Sequence, residues 1–211
     1  MTKIIYILLI IIISNIGLYS QKPEEKTYQI WLENEFKFEV ADNFDIELSH
    51  DLRYDLTNEI IENSFTEIGS AYEFLDYFKV SAALRIIENQ PDWLTEYSAF
   101  FLFQIPIKDF TVKLRTRYQN KDNINRLKEV LREKLSLDYD FMGNSAIGVS
   151  GEIFYETGIE RIDKARYSVE VSNKIAKVFK LTLGYIFDTQ FNRKSPKIDD
   201  ILLLNLSIKV M

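Results

Sequence analysis

The sequence contains no cysteine, one histidine and only seven glycines among its 211 residues. The absence of cysteine excludes disulfides and thiolate metal sites, and a single histidine cannot build a histidine metal cluster. So few glycines leave no glycine-rich loop to cradle a phosphate. The net charge of −6 also disfavours a general nucleic-acid binder, which needs a basic surface. We therefore predict no metal, no cofactor and no nucleic-acid partner; carboxylate-only calcium binding at Asp45, Glu47 and Asp51, or at Asp199 and Asp200, is the alternative.

Long apolar runs are equally scarce, and the one that exists lies near the N-terminus. Ile4 to Ile13 follows the positive charge of Lys3 and precedes a more polar stretch. About ten apolar residues are too few for a membrane-spanning helix, which needs about 20. The layout predicts a secretory signal peptide over residues 1–20, cleaved after Ser20, with an uncleaved anchor as the alternative. Residues 21–211 then form one domain.

The rest of the chain alternates apolar and polar residues with a period of two. In 28–40, Ile30, Leu32 and Phe36 share one parity, while Trp31 and Glu33 share the other. Such alternation puts the two sets on opposite faces of a β-sheet. The alternating segments are 28–40, 44–55, 64–75, 77–88, 95–105, 109–119, 127–139, 144–156, 165–172, 178–188 and 202–210. Their lengths, about 9–13 residues, are typical of tilted transmembrane strands, so we predict an all-β antiparallel transmembrane barrel in a bacterial outer membrane.

The number of strands follows less directly from the alternation. Eleven segments alternate, but single-chain bacterial barrels usually have an even number of strands, which predicts twelve strands, with ten as the second choice. Short turns are expected near 41–43, 76–77, 106–108, 141–143 and 173–174, and longer loops near 56–63, 89–94, 120–125, 157–164 and 189–199. Residues 124–135 also fit helical spacing, although we favour a strand there.

With the apolar face against lipid, charged residues line the inside of the barrel. The candidate lumen charges are Glu33, Glu35, Glu47, Arg53, Arg85, Arg115, Arg117, Arg132, Glu152 and Arg166. The first two strands supply an acidic wall, and the strands between about 109 and 140 supply a basic wall. Either these charges pair across a narrow lumen as a polar plug, or the walls stay apart and impose a transverse field on a permeating solute. We favour the plug.

Several motifs resemble a bacterial outer-membrane family, domain of unknown function 2490. The resembling residues are Trp31, Leu114-Arg115-Thr116-Arg117-Tyr118, Arg126-Leu127, Gly151-Glu152-Ile153-Phe154-Tyr155-Glu156, Arg161, Arg166, Leu183-Gly184-Tyr185 and the C-terminal strand. The resemblance covers nearly all of the mature chain. It implies a barrel and an outer-membrane location, and it brings no known activity and no catalytic residues.

The expected function is a structural or passive role with no catalysis. His50 shares parity with Leu48 and Leu52 and should point outward as a rim residue, away from Ser49, so the two cannot form a nucleophile–base pair. The expected partners are outer-membrane lipid and the barrel assembly machinery, with a small polar solute or ion as candidate cargo. Two alternatives remain open, a lipid-modifying barrel enzyme and a soluble periplasmic lipid-carrying barrel with inverted faces.

Overall fold

The computed structural model describes residues 25–89, 92–123, 126–192 and 196–210, which form a single closed antiparallel β-barrel apart from one parallel pair. The predicted signal peptide lies outside these residues. Among the described residues, no helix is long and apolar enough to cross a membrane, and a 3₁₀ turn lies at Thr157–Ile159. The strands are β1 (Glu25–Ala41), β2 (Phe44–Asp55), β3 (Ile60–Leu75), β4 (Phe78–Asn89), β5 (Asp92–Ile107), β6 (Phe110–Asn123), β7 (Arg126–Phe141), β8 (Ser145–Glu156), β9 (Arg161–Lys174), β10 (Phe179–Gln190) and β11 (Lys197–Val210).

The barrel has eleven strands in its described residues, so the predicted count of twelve is wrong. Ten neighbouring pairs are antiparallel, and β1 closes the sheet by pairing in parallel with β11, from Glu25 opposite Lys197 to Phe38 opposite Val210. An odd number of alternating strands forces one parallel pair, because the first and last strands then run in the same direction. The even-number rule could not anticipate this closure.

The strands are longer and the connections shorter than predicted. Strands reach 17 residues in β1 and 16 in β3, β5 and β7, and they extend into stretches that the sequence assigns to loops. The polar ends of the strands remain hydrogen-bonded to the neighbouring strands. Local polarity therefore predicted loops where the strands continue. For the described residues 126–135, the strand interpretation is confirmed and the helical one is wrong; residues 124 and 125 lie outside the described part.

The register tilts every strand against the barrel axis. Hydrogen-bonded partners followed once around the barrel from Glu39 return to β1 at Glu25. Such a stagger requires a tilt near the ~35–45° typical of barrels. We call the rim that carries the β1–β2 turn the turn side and the opposite rim, where β1 and β11 begin, the loop side.

The outer surface is an apolar belt between two rows of aromatic side chains. Leu32, Leu183 and Leu204 lie side by side in its middle and are exposed. On the turn side, aromatic rings pack against one another, with Phe78 and Phe103 centroids 4.9 Å apart. The loop side carries the exposed rings of Tyr28, Trp93, Tyr97, Tyr118 and Tyr185. Glu133 also faces outward, where Thr116 Oγ1 donates a 2.8 Å hydrogen bond to its Oε2.

Inward-facing side chains form the only core of the described barrel. Trp31, Ile186, Ile201 and Leu203 make an apolar cluster beneath the parallel β1–β11 seam, and Ile201 is fully buried. The cluster lies in the loop-side half of the barrel. The same inner surface carries most of the charged residues described next.

Candidate functional site

The ten predicted lumen charges all line the interior. Nine of them border one cavity of about 410 Å³, and Glu47 borders an adjoining cavity of about 600 Å³ on the turn side. Inward orientation follows from strand parity, since successive side chains of a strand point to opposite faces of the sheet. The structure therefore brings all ten candidates into one connected interior.

Glu152 is the centre of an ion-pair network that joins four strands. Its carboxylate accepts hydrogen bonds from Arg132 Nε (3.0 Å) and Nη2 (2.9 Å), and from Arg115 Nη2 (2.8 Å). Arg166 Nη1 lies 4.0 Å away. The four side chains come from β6, β7, β8 and β9, and Glu152 itself is only 3% exposed. This carboxylate therefore ties four strands together through the lumen.

Two further networks lie at the same level. Glu67 binds Arg85 (2.7 Å) and Arg117 (2.9 Å), and the fully buried Glu96 is 3.2 Å from Lys121. Asp188 pairs with Arg166 (2.8 Å) and Lys164 (2.7 Å). Glu67, Glu96 and Asp188 each lie within 4 Å of more than one cation, as expected where desolvation must be compensated.

Glu67, Asp188 and Lys164 were missing from the predicted set. Glu67 shares the parity of Phe65 and Glu73, so the alternation could have identified it. Asp188 follows Gly184 and Ile186 on the inner face of β10, where mixed polarity hides the pattern. Lys164 falls in a stretch that the sequence assigns to a loop.

Arginine side chains also stack on inward aromatic rings. The Arg53 guanidinium lies 3.9 Å from the Trp31 ring centroid and 4.8 Å from that of Phe65. Phe154 carries Arg132 at 4.5 Å and Arg166 at 5.3 Å. Guanidinium groups are weakly hydrated and planar, which suits them to such stacking.

These contacts bring large side chains together in the loop-side half of the described lumen. We call this set the arginine–aromatic layer: Trp31, Arg53, Phe65, Arg85, Arg132, Phe154 and Arg166. Trp31 and Phe65 are 4% and 3% exposed, and Glu96 and Asp188 behind them are essentially inaccessible. Large side chains from seven strands thus meet at one level of the described lumen.

The turn-side half is hollow for the opposite reason. Along β8 the inward residues are Ala146, Gly148 and Ser150 near the turn, before Glu152 and Phe154 reach the layer. A Cβ atom at Gly148 would come within 2.5 Å of Asp138 Oδ1. Small side chains on β8 and its neighbours leave the 600 Å³ cavity, which reaches turn residues such as Asp76 and Asn144. We call the two adjoining cavities the turn-side chamber.

Some charged side chains that border the chamber have no ion-pair partner in the described part of the chain. On β1 and β2, Glu33, Glu35 and Asp51 border it with no lysine or arginine within 4 Å among the described residues. Across the barrel, Lys134 on β7 borders the same cavity with no described carboxylate within 4 Å. The chamber also contains the ion pairs Lys79–Glu47 and Lys113–Asp138. Paired and unpaired charges, posed as alternatives by the sequence, therefore occur together in one lumen.

His50 faces outward, as predicted from parity, with Nδ1 3.0 Å from Thr66 Oγ1. It lies between Leu48 and Leu52 in the middle of β2, so its predicted place at the rim is wrong. In the described part of the chain, no three His, Asp or Glu residues are grouped so that they could hold a metal ion.

Comparison with solved structures shows a porin-like barrel fold. A NanC porin matches with a TM-score of 0.55 and 9% identity over 83% of this chain and 91% of that chain. A KdgM porin has a TM-score of 0.48 and 18% identity, covering 76% and 91%. A further porin has a TM-score of 0.39 and 14% identity, covering 81% and 59%.

No curated protein matches the sequence. The family model described as protein of unknown function (DUF2490) matches residues 28–199. That span covers most of the chain, from the first strand to the last, and it confirms the resemblance drawn from the sequence motifs. The chain therefore belongs to the DUF2490 family.

Proposed function

We propose that the protein is an outer-membrane β-barrel whose lumen is closed at rest and whose main role is structural. Its apolar belt between two aromatic rows is what lipid-facing barrels present at the two membrane interfaces. The arginine–aromatic layer carries the proposal that the barrel is closed, because Trp31 and Phe65 at its level are almost inaccessible to solvent. The porin-like fold is compatible with this location.

The same surfaces support membrane lipid and the barrel assembly machinery as the partners. Lipid acyl chains would cover Leu32, Leu183 and Leu204, which otherwise expose apolar side chains to water. A closed sheet leaves no unpaired edge in the membrane, so closure of β1 on β11 is the step at which the assembly machinery would release the barrel. An outward apolar face and a charged interior argue against a soluble lipid carrier.

A catalytic role is not part of the proposal. A lipid-modifying barrel enzyme needs a reactive polar cluster that faces the outer leaflet. His50 faces outward, but Ser49, the neighbouring candidate nucleophile, faces the lumen on the other side of the sheet. On the loop side, the outward Asp200 is paired with Lys26 at 2.7 Å and accepts a hydrogen bond from the Tyr185 hydroxyl. These contacts satisfy the cluster internally, as a structural ion pair does.

The location is tested by membrane fractionation followed by electrophoresis with and without heating. We expect the protein in the outer-membrane fraction, with a faster band before heating and a slower band after it, because closed barrels resist unfolding by detergent. Recovery in the soluble periplasmic fraction would overturn the proposal. A membrane-bound protein without a heat-dependent shift would contradict the closed barrel.

Passive passage of small polar solutes is the second candidate function, and the turn-side chamber favours it. The chamber has room for solvent and extends from the turn side up to the arginine–aromatic layer. Opening the layer would then connect the two rims. Rearrangement of the stacked arginines is the step that would open this path.

Arg53→Ala is expected to open this path. Among the described residues, Arg53 stacks on Trp31 and Phe65 without a carboxylate within 4 Å, so its removal leaves no acid unpaired. In planar bilayers we expect the wild-type protein to be nearly silent and Arg53→Ala to show frequent ion-conducting openings. Arg161→Ala, an exposed arginine at the start of β9, is the matched control and should stay silent. Steady conductance by the wild type would contradict a closed layer.

A further inference from the structure

We propose that the turn-side chamber binds small zwitterions, such as short peptides with free termini, with the ammonium on the β1–β2 wall and the carboxylate on the β6–β7 wall. This inference rests on the proposed function, because it requires a folded barrel with a chamber that is reached from the turn side. It adds a ligand class to that barrel. The argument comes from the two walls and from the space between them.

The acidic wall is arranged to receive a cation. Glu33 and Asp51 are register partners on β1 and β2, and Glu35 lies two residues further along β1 on the same face. Asn205 Nδ2 donates to Glu33 Oε2 (3.0 Å), and Ser207 Oγ donates to Glu35 Oε1 (3.3 Å). These neutral donors orient the carboxylates without neutralising them. The wall therefore offers to a ligand carboxylate oxygens that have no ion-pair partner in the described barrel.

The basic wall retains donors of its own. Arg115 gives Nη2 to Glu152 at 2.8 Å, while its buried Nε has no hydrogen-bond partner. Lys134, its register partner on β7, borders the same cavity without a described carboxylate within 4 Å. A guanidinium beside an ammonium is a good receptor for a carboxylate. The Lys134 ammonium and the part of the Arg115 guanidinium that borders the cavity are the donors that such a ligand would meet.

The two walls together select a dipolar ligand. β1 and β2 lie across the barrel from β6 and β7 in the strand order, so the field runs across the chamber. A simple anion would meet the acidic wall and a simple cation the basic wall, and each would experience repulsion as well as attraction. A zwitterion satisfies both walls at once. The 410 Å³ part of the chamber is within the ~300–1,000 Å³ of sites for small ligands.

The chamber is closed to lipid headgroups by the sheet and to the loop side by the arginine–aromatic layer. Its ligand must therefore be a soluble molecule that enters past the turns. Trp31 borders the chamber at its loop-side end, so its fluorescence can report on whether a ligand occupies the chamber. The protein's other tryptophan, Trp93, is exposed on the outer surface.

Triglycine and its blocked forms test the proposal by titration calorimetry on the full protein in detergent. We expect triglycine to bind about tenfold more tightly than N-acetyl-triglycine, which lacks the ammonium, or triglycine amide, which lacks the carboxylate. Glu35→Gln should weaken binding of triglycine and of the amide but not of the acetylated form. Lys134→Gln should weaken triglycine and the acetylated form but not the amide. Glu39→Gln, outside the chamber lining, is the control.

Equal affinity for triglycine and either blocked form would overturn the dipolar ligand. So would loss of all three affinities in both chamber variants, which indicates a general structural effect. A protein that shows the heat-dependent shift but binds no triglycine overturns this inference alone. Absence of both the shift and binding overturns the proposed barrel as well.

Discussion

Glu152→Gln is expected to lower the free energy of unfolding by about 3–5 kcal/mol, the cost of leaving buried cations without their partner. Glu152 accepts three hydrogen bonds from Arg132 and Arg115 and lies close to Arg166. A glutamine keeps the size of the side chain but removes the charge that holds these guanidinium groups together. The measurement is a urea titration of the refolded protein. The faster band of the unheated sample reports the folded fraction.

Glu39→Gln is the matched control for this experiment. Glu39 pairs with Lys209 at 2.7 Å, and both side chains are 46% exposed. Exposed ion pairs contribute about 0–1 kcal/mol, so this variant should unfold close to the wild type. Equal destabilisation by both variants would contradict a stabilising ion-pair network around Glu152.

A double variant separates the lost ion pair from a general effect of mutation. Replacing Arg132 by methionine in the Glu152→Gln background removes one of the cations that the first change leaves uncompensated. Methionine also fills much of the vacated volume beside Phe154. We expect the double variant to be more stable than the sum of the two single effects predicts. Strict additivity would show that Glu152 and Arg132 do not act as a pair.

Leu204→Arg is expected to block assembly of the barrel. Leu204 faces outward between Leu32 and Leu183 in the middle of the apolar belt. A lipid-facing arginine near the membrane midplane costs roughly 2–4 kcal/mol. The measurement is the amount of heat-shifted protein in the outer-membrane fraction, which should fall to a small part of the wild-type level.

Leu56→Arg makes the same change outside the belt. Leu56 lies in the connection between β2 and β3 and is 47% exposed. Water already surrounds that connection in the proposed orientation, so this variant should assemble normally. Normal assembly of Leu204→Arg would show that the belt does not meet lipid and would invert the assignment of the two faces.

The sequence alone determines which side chains share a face of the sheet. Trp31, Glu33 and Glu35 occupy one parity of β1, and Leu32 and Phe36 occupy the other, as the structure shows. Because successive residues of a strand alternate, this information is local and survives any error in strand number. The lumen charges, the outward Leu204 and the outward His50 all follow from it.

Closure is a different kind of information. Whether ten, eleven or twelve strands close depends on whether β1 reaches β11, which lies at the other end of the chain. Local alternation is equally compatible with each number of strands, because it does not show whether the first and last strands pair. Loop lengths failed similarly, since pairing with a neighbour, rather than local polarity, keeps the strand ends extended.

The state of the lumen was decided only by the tertiary structure. The alternation places Glu152, Arg115, Arg132 and Arg166 on the inner surface, but only the strand register brings them to the same height, where they pair. The small residues Gly148 and Ser150 meet at another height and leave the chamber open. Packing across a barrel depends on the combined size of the side chains that reach one level from all its strands, and no single segment of the sequence contains that sum.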